Sequence, residues 1–364
     1  MLEVAVQAKH FIAFLFLLSC TTESVPTKEI DHLVLQEMES NQIPGLAIAV
    51  LVRGDVKFKK AYGLANVELD VPVTAESVFE LASLTKQFTA SAVLLLESEG
   101  KLSLDDPITA FVEDAPATWG DIRVHHLLSH TSGLADRFEE TVGDRSIMDH
   151  AAEDMIRSAM LTPMIAEPGE VWSYSDQGYA LLGQVIERAS GQPYERFVKT
   201  RLLNPAGARG TYFHSKQSII PNRVAGYVLD GGRLENVRRD WQYGIISHFG
   251  IMASISDLIN WEEALVEKTV LSNEQLRLAW QPHWQLFQDE EFSMNYGFGW
   301  FVANLGDYTV VEHTGVTGTS YVRVLESDTT VIVLSNLAFH DVSALGRRIL
   351  KLLDPAIPFT DEAL

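Results

Sequence analysis

GLAIAVLVRGDVKFKKAYGLA, residues 45–65, is the stretch that decides the fold class of this chain of 364 residues. Gly45 to Val52 is a short apolar run rich in strand-forming residues, Arg53-Gly54-Asp55 is a turn, and Val56 to Ala65 reads as a second strand. The segment therefore predicts a β-hairpin. A helix is predicted just before it, over Thr27 to Asn41, because apolar residues recur there on one face.

The C-terminal end mirrors this hairpin with four consecutive predicted strands. They cover Gly297 to Ala303, Tyr308 to His313, Thr319 to Leu325 and Thr330 to Ser335, and a helix from Val342 to Leu353 follows. The stretch between the two ends, about 80–290, is mostly helical in pattern, as in Thr85 to Glu99 and Gln177 to Ser190. We therefore expect an α+β fold. Strands from both ends form one antiparallel sheet flanked by helices, and a mostly helical lobe is inserted between them.

The composition is that of a globular protein, with 46% hydrophobic and 21% charged residues. Lys and Arg number 28 against 49 Asp and Glu, which gives a formal net charge of −21. So acidic a surface repels phosphate backbones, and we expect no nucleic-acid partner.

Cys20 is the single cysteine, so neither an intrachain disulfide nor a thiolate zinc site can form. It directly follows a short apolar run, 11–18, whose length suits a signal peptide better than a membrane span. Leu17-Leu18-Ser19-Cys20 resembles the processing site of bacterial lipoproteins, in which the cysteine is lipidated. We expect a signal peptide over 1–19, a tether over 20–27 and an exported, lipid-anchored protein facing the periplasm or cell surface. A plain secretory signal or a misassigned start is the alternative.

Several signals of known chemistries are absent from the sequence. There is no G-x-S-x-G elbow, H-E-x-x-H motif or Walker loop. His125, His126 and His130 cluster along the chain, but packing and loop hydrogen bonds are favoured there over a metal site. Packing is also the expected role of Trp172 and Trp300. We expect no metal and no organic cofactor.

Ser83-Leu84-Thr85-Lys86 is the strongest chemical signal. A serine three residues before a lysine at a helix start places both side chains on one face, where a lysine kept neutral by burial can take the serine proton. The spacing alone is weak, because Ser98-Glu99-Gly100-Lys101 repeats it. That second pair straddles a glycine expected to end the helix. A helix N-cap is the alternative role for Ser83.

The surroundings of the first pair carry a family resemblance. FELASLTK, residues 79–86, is similar to the nucleophile segment of the serine β-lactamase and penicillin-binding protein superfamily, particularly its class C-related branch. Further matches follow in the family's order: LSLDDP at 102–107, LLSHTSGL at 127–134, PGE at 168–170 leading into YSD at 174–176, GYALLG at 178–183 and HTG at 313–315. They run through a single predicted catalytic domain over 28–354, with a tail over 355–364.

The resemblance implies roles for individual residues. Ser83 would be the acylated nucleophile, and Lys86 its proton acceptor. Tyr174 matches the tyrosine of the family's Y-x-N motif, which passes the proton to the leaving group. His130 of the HTSGL segment is expected to be structural.

The resemblance also implies a substrate-binding strand. His313-Thr314-Gly315 takes the place of the family's K-T-G motif, and the backbone N–H groups of Ser83 and Val316 would form the oxyanion hole. Asp176 stands where the Y-x-N motif has asparagine. Ser175-Asp176-Gln177 is an alternative register, similar to the S-D-N motif of class A enzymes, but the downstream 178–183 match favours the Tyr174 register.

Two of these positions depart from the family pattern and bear on the substrate. Asp176 can only accept hydrogen bonds, and a carboxylate near Lys86 favours the charged lysine and makes it a poorer base. His313 is largely neutral at pH 7, whereas lysine attracts a substrate carboxylate permanently; acidification should charge His313 and help carboxylated substrates.

The predicted function is therefore that of a serine acyl hydrolase acting through a Ser83 acyl-enzyme on a small ester or amide. A β-lactamase or D-alanyl carboxypeptidase acting on a peptidoglycan-type substrate is one alternative. A penicillin-binding sensor without turnover is an alternative of another class.

Overall fold

The computed structural model describes residues 25–136, 152–215, 217–237, 246–289 and 292–359. Cys20 and the predicted signal peptide lie outside these ranges, so export and lipidation stay predictions. Among the described helices, none is both long and apolar enough to cross a membrane.

A large antiparallel sheet organises the molecule. The described strands are β1 Gly45–Val52, β2 Asp55–Asn66, β3 Val71–Pro72, β4 Phe79–Glu80, β5 Tyr212–Phe213, β6 Tyr227–Asp230, β7 Arg233–Asn236, β8 Ile251–Ala253, β9 Trp284–Gln288, β10 Phe292–Tyr296, β11 Phe301–Leu305, β12 Tyr308–Gly315, β13 Thr319–Val324 and β14 Thr329–Ser335. Nine of them pair in the order β3-β2-β1-β14-β13-β12-β11-β10-β9. The N-terminal strand β1 pairs antiparallel with both β2 and β14. This confirms the α+β fold and the sheet built from both ends of the chain.

Strand β1 is apolar on both faces because both faces are covered. Leu46 and Ile48 pack in one core with Ile30 of the N-terminal helix and Ile349 of the C-terminal helix. The alternate residues, such as Ala47, belong to the second core on the opposite face of the sheet. Successive side chains of a strand point to opposite faces, so this continuous apolar run fits a strand between two helical layers.

The described helices are α1 Thr27–Asn41, α2 Thr85–Ser98, α3 Val124–Leu128, α4 Ala152–Leu161, α5 Asp176–Ser190, α6 Tyr194–Val198, α7 Ile255–Glu267, α8 Asn273–Trp280 and α9 Ser343–Leu353. Helices α1 and α9 cover one face of the sheet, and α2 lies in the core on the other. The central stretch also contains a small sheet in the order β4-β8-β5 and the hairpin β6-β7.

The strand predicted over Gly297 to Ala303 is wrong at its start. Residues 297–300 form a turn, in which the Gly297 amide donates to the Trp300 carbonyl at 2.8 Å, and β11 begins at Phe301. Two further strands that the sequence pattern does not predict, β9 and β10, extend the sheet beyond the four predicted strands. Their sequences, WQLFQ and FSMNY, mix polar and apolar residues because this end of the sheet is only partly covered.

Candidate active site

The first Ser-x-x-Lys pair meets at the start of α2. A 3-10 turn, Ala82–Leu84, leads directly into the helix, and the Lys86 Nζ lies 3.1 Å from the Ser83 Oγ. Lys86 is fully buried, while Ser83 is partly exposed. The predicted juxtaposition of these two side chains is present.

Strands on two sides hold the Ser83 turn in place. The Leu81 amide donates to the Ile251 carbonyl of β8 at 2.9 Å, and the Ile251 amide donates to the Thr85 Oγ1 at 3.1 Å. On the other side β12 passes so close that a Cβ on Gly315 would lie 2.3 Å from the Leu81 carbonyl oxygen. Only glycine fits at position 315, so this close approach accounts for the glycine of the HTG motif. Ala82, just before Ser83, has φ +50°, a strained value that this packing imposes.

Lys86 is an ammonium group in this arrangement. Its Nζ donates to the Ser83 Oγ, to the Asp176 Oδ1 at 2.6 Å and to the His248 carbonyl at 3.2 Å. Burial alone would lower the pKa of Lys86, but the Asp176 carboxylate and Tyr174 outweigh burial and raise that pKa above its ordinary value. Burial would raise the pKa of Asp176, yet Lys86 holds it at about 2. Lys86 and Asp176 therefore form an ion pair in which both groups are charged.

Tyr174 completes a triangle with this pair. Its side chain lines the same cleft as Ser83, and the Lys86 Nζ lies 4.8 Å from the centre of its ring. Burial raises the pKa of Tyr174, and Lys86 partly opposes this effect. The next residue, Ser175, is the N-cap of α5 and accepts from the Gly178 amide at 3.0 Å. Because Ser175 is buried as a cap, the geometry favours the Tyr174 register.

His313 lies in the wall beside Ser83, but its predicted response to acid is wrong. Only 2% of the residue is exposed. Burial, helped by the charge on Lys86, lowers the pKa of His313 to about 3. The imidazole therefore stays neutral throughout the range in which acidification was expected to charge it.

Asp136 is a group near the site that the sequence analysis missed. Its Oδ2 accepts from the backbone amide of Asp176 at 2.9 Å. Burial and the neighbouring Asp176 carboxylate raise the pKa of Asp136 to about 6. Its position two residues after the HTSGL segment is the only sequence feature that could have pointed to it. That feature does not predict the contact with the start of α5, which depends on the fold.

The histidines and tryptophans singled out by the sequence serve packing. His125 and His126 lie edge to face at 4.1 Å, and the described residues hold no cluster of metal-ligating side chains. His130 is buried, with its ring 4.3 Å from that of Tyr174. Trp172 lies in the same aromatic cluster, and Trp300 packs in the core against Tyr321 at 5.3 Å.

Ser83 opens into a cleft of about 440 Å³. Its described lining residues are Ser83, Tyr174, Phe301, His313, Thr314, Gly315, Val316, Phe339, His340 and Asp341. No lysine or arginine is among them. Among the lining residues, His340 hydrogen-bonds with Glu37 at 2.8 Å, and Asp341 is exposed. The cleft therefore brings the predicted Ser83, Tyr174 and HTG residues together without a lysine or arginine among its described lining residues.

Comparison with known proteins agrees with this geometry. The family model described as Beta-lactamase matches residues 30–354, and the chain therefore belongs to the beta-lactamase family. Penicillin-binding protein 4* of Bacillus subtilis (strain 168) is 31% identical over 319 residues, covering 82% of this chain and 69% of the relative. Protein flp of Staphylococcus aureus (strain MRSA252) is 26% identical, and the match covers 85% of this chain but only 63% of that relative.

Solved structures have the same fold. The octameric penicillin-binding protein homologue from Pyrococcus abyssi has a TM-score of 0.81 and 29% identity, covering 90% of this chain and 77% of that one. EstCE1, described as a hydrolase with promiscuous acyltransferase activity, has a TM-score of 0.78 and 23% identity, covering 90% and 98%. The superfamily predicted from the motifs is confirmed.

Proposed function

We propose that the protein is a serine acyl hydrolase that forms an acyl-enzyme on Ser83 from a small, uncharged ester or amide. The observation that carries the proposal is the triangle of Ser83, buried Lys86 and Tyr174 at the base of the cleft, with the Ser83 Oγ 3.1 Å from the Lys86 Nζ. Membership of a family of serine hydrolases supports it.

The reaction has two steps. The Ser83 Oγ bonds to the acyl carbon, the bond to the leaving alcohol or amine breaks, and the proton from Ser83 ends on that leaving group. Water then releases the acyl group as a carboxylic acid and restores the serine. Tyr174, which lines the cleft with Ser83 and lies against Lys86, is the route for the proton.

Lys86 can accept a proton only after losing its own. Because Asp176 raises the pKa of Lys86, the basic form is scarce at neutral pH. Turnover should therefore rise with pH until Lys86 is neutral. Asp176 thereby acts on the basicity of Lys86, in addition to its predicted place in substrate binding.

The charges of the cleft support an uncharged substrate. His313 is neutral, and the lining residues include no lysine or arginine. Lys86 already forms an ion pair with Asp176 at 2.6 Å. A substrate carboxylate would thus lack the charge-assisted hydrogen bond that a lysine provides, worth about 1.5–3 kcal/mol or roughly ten- to 150-fold in affinity.

Two other functions have specific support. Relatives named penicillin-binding proteins favour a β-lactamase or D-alanyl carboxypeptidase. The three hydrogen bonds that hold Lys86 in its charged form favour a sensor that is acylated without turnover.

Turnover of three substrates separates these functions. We expect a short-chain nitrophenyl ester to be hydrolysed with a higher kcat/KM than a cephalosporin or a D-alanyl-D-alanine peptide. Ser83→Ala should abolish ester hydrolysis, and Ser98→Ala is the matched control that should keep it. Faster turnover of the cephalosporin or the peptide than of the ester would contradict the proposed substrate. A stable acyl adduct without release would indicate the sensor.

We also propose export and lipidation at Cys20, supported by the apolar run that precedes it. In a Gram-negative host the protein should partition with membranes, and Cys20→Ala should alter its processing. Recovery of an uncleaved cytosolic chain that starts at Met1 would contradict this proposal.

A further inference from the structure

A buried chain of hydrogen bonds crosses the wall of the cleft behind Tyr174. It joins His130, after α3, to Tyr296 on β10 and His313 on β12, and each of these residues is at most 2% exposed. The His130 Nε2 lies 3.1 Å from the Tyr296 hydroxyl, which lies 3.3 Å from the His313 Nε2. The mechanism proposed above does not use Tyr296.

Fixed partners at its two ends determine the direction in which the hydrogen bonds of this buried chain are donated. At one end the His313 Nδ1 lies 2.8 Å from the Thr314 carbonyl, which can only accept, so this nitrogen carries the proton. At the other end the His130 Nδ1 accepts from the Ser175 amide at 3.0 Å, so its proton is on Nε2. The His130 Nε2–H donates to the Tyr296 oxygen. The Tyr296 O–H is then free to donate to the bare Nε2 of His313.

We propose that Tyr296 is a specificity-determining positioning residue, whose hydroxyl donates to the His313 Nε2 and locks His313 as the neutral Nδ1–H tautomer, so that this wall of the cleft rejects substrate carboxylates. The inference rests on the proposed function, since it assigns a control on the substrates of that site. Tyr296 is not a lining residue and acts through His313.

The groups around His313 favour this state. Lys86 on α2 opposes a second positive charge, and Asp176 on α5 favours one but is already paired with Lys86. Tyr174, with its ring 6.3 Å away, and His130 are uncharged. Tyr179 is the competing acceptor for the Tyr296 proton, because it lies beside Tyr296 and its own hydroxyl donates to the Leu128 carbonyl at 2.8 Å.

Nitrogen-15 NMR of wild-type protein labelled at histidine tests the tautomer without any activity. The His313 signals are assigned by their loss in His313→Gln. We expect an unprotonated Nε2 and a protonated Nδ1, unchanged from pH 5 to 8. A protonated Nε2, or titration of His313 within that range, would overturn the proposal even if esters are hydrolysed.

Tyr296→Phe tests the hydroxyl itself, with Tyr308→Phe as the matched control. Tyr308 lies on the same strand as His313, but its hydroxyl donates to Asp354 at 3.1 Å. The substrates are 4-acetoxybenzoate and its methyl ester, which differ only in the carboxylate. At pH 5 we expect Tyr296→Phe to raise the kcat/KM for 4-acetoxybenzoate about tenfold relative to that for the methyl ester. The reason is that His313, without the hydrogen bond from Tyr296, can take a proton.

The control variant should keep the wild-type ratio. A Tyr296→Phe protein with the wild-type ratio and unshifted His313 signals would overturn the proposal and point to Tyr179 as the acceptor. Should Tyr296→Phe fail to fold in a thermal melt, the wild-type NMR experiment still overturns the proposal if His313 lacks the neutral Nδ1–H tautomer. Failure of the proposed function is distinct, because the methyl ester would then not be hydrolysed by any of these proteins.

Discussion

Ser83-Leu84-Thr85-Lys86 and Ser98-Glu99-Gly100-Lys101 have the same spacing and lie at the two ends of one helix, α2. At the first end the serine oxygen meets the lysine nitrogen at 3.1 Å. At the second end Ser98 donates to the Leu95 carbonyl at 2.9 Å, and Lys101 pairs with Glu99 at 3.0 Å. Gly100, with φ +66°, turns the chain away from the helix between them.

The surroundings of the two lysines differ as much as their geometry. The side chain of Lys86 is fully buried among Tyr174, Asp176 and the sheet, whereas that of Lys101 is 43% exposed. Lys101 therefore lies at the surface, with Glu99 as its partner. The same Ser-x-x-Lys spacing therefore brings serine and lysine into contact only at the end of α2 where a second layer of structure buries the lysine.

The lysines give the largest expected difference. Lys86→Ala should lower the kcat/KM of ester hydrolysis by about 10²–10⁴-fold, because the group that receives the proton is lost. Lys101→Ala should change it less than about twofold, as expected for an exposed charge away from the site. Initial rates with a nitrophenyl ester measure both variants. Equal effects of the two substitutions would show that the first pair has no special role.

Each Ser-x-x-Lys pair has a glycine beside it, Gly315 at the Ser83 turn and Gly100 between Ser98 and Lys101, and substituting these glycines should have different effects. Gly315→Ala places a Cβ 2.3 Å from the Leu81 carbonyl, so the Ser83 turn must move. We expect a loss of about 1–3 kcal/mol in the free energy of unfolding and at least a tenfold fall in kcat. Gly100→Ala meets open space but a left-handed φ, and should lose about 1–2 kcal/mol with kcat unchanged. Urea unfolding and ester kinetics measure these effects; unchanged kcat in Gly315→Ala would contradict the close fit.

Asp176→Asn tests how far the Asp176 carboxylate controls the pKa of Lys86. Removing the carboxylate lowers the pKa of Lys86, since Asp176 now raises it. The proposed mechanism needs neutral Lys86, so the rising limb of the pH–rate profile should move to lower pH. The kcat/KM at pH 7 should then increase about three- to tenfold. A profile that stays in place would mean that Asp176 does not control the basicity of Lys86.

The smallest effect is expected from Ser98→Ala. Ser98 donates to the Leu95 carbonyl and accepts from the Gln275 Nε2 at 3.0 Å. Its loss should cost about 0.5–1.5 kcal/mol in the free energy of unfolding. Urea unfolding measures this change, and ester kinetics should stay at the wild-type level. A loss of activity in a variant that folds normally would give Ser98 a role that its position does not explain.

Elements with a strong local signal could be predicted from the sequence. Helix α1 and strand β1 have the predicted bounds, Thr27–Asn41 and Gly45–Val52, because their apolar patterns reflect layers packed against them. Strands β9 and β10 are the last two strands at one end of the sheet, and their partial burial leaves no regular pattern. They could not be predicted in this way.

The same distinction holds at the site. Motifs located Ser83, Lys86, Tyr174 and His313, whose positions follow the family's order. The contacts of Tyr296 and Asp136 depend on distances across the fold, which no local pattern contains. Burial also overturned the expected protonation of His313, because desolvation is a property of the whole packed wall and not of the residue.

The most direct test of the central claim is covalent labelling of the two serines. Intact-mass spectrometry after treatment with a fluorophosphonate, followed by peptide mapping, reports which serine reacts. We predict one adduct, located on Ser83, absent from Ser83→Ala and retained in Ser98→Ala. An adduct on another serine that persists in Ser83→Ala would contradict the assignment of Ser83 as the nucleophile.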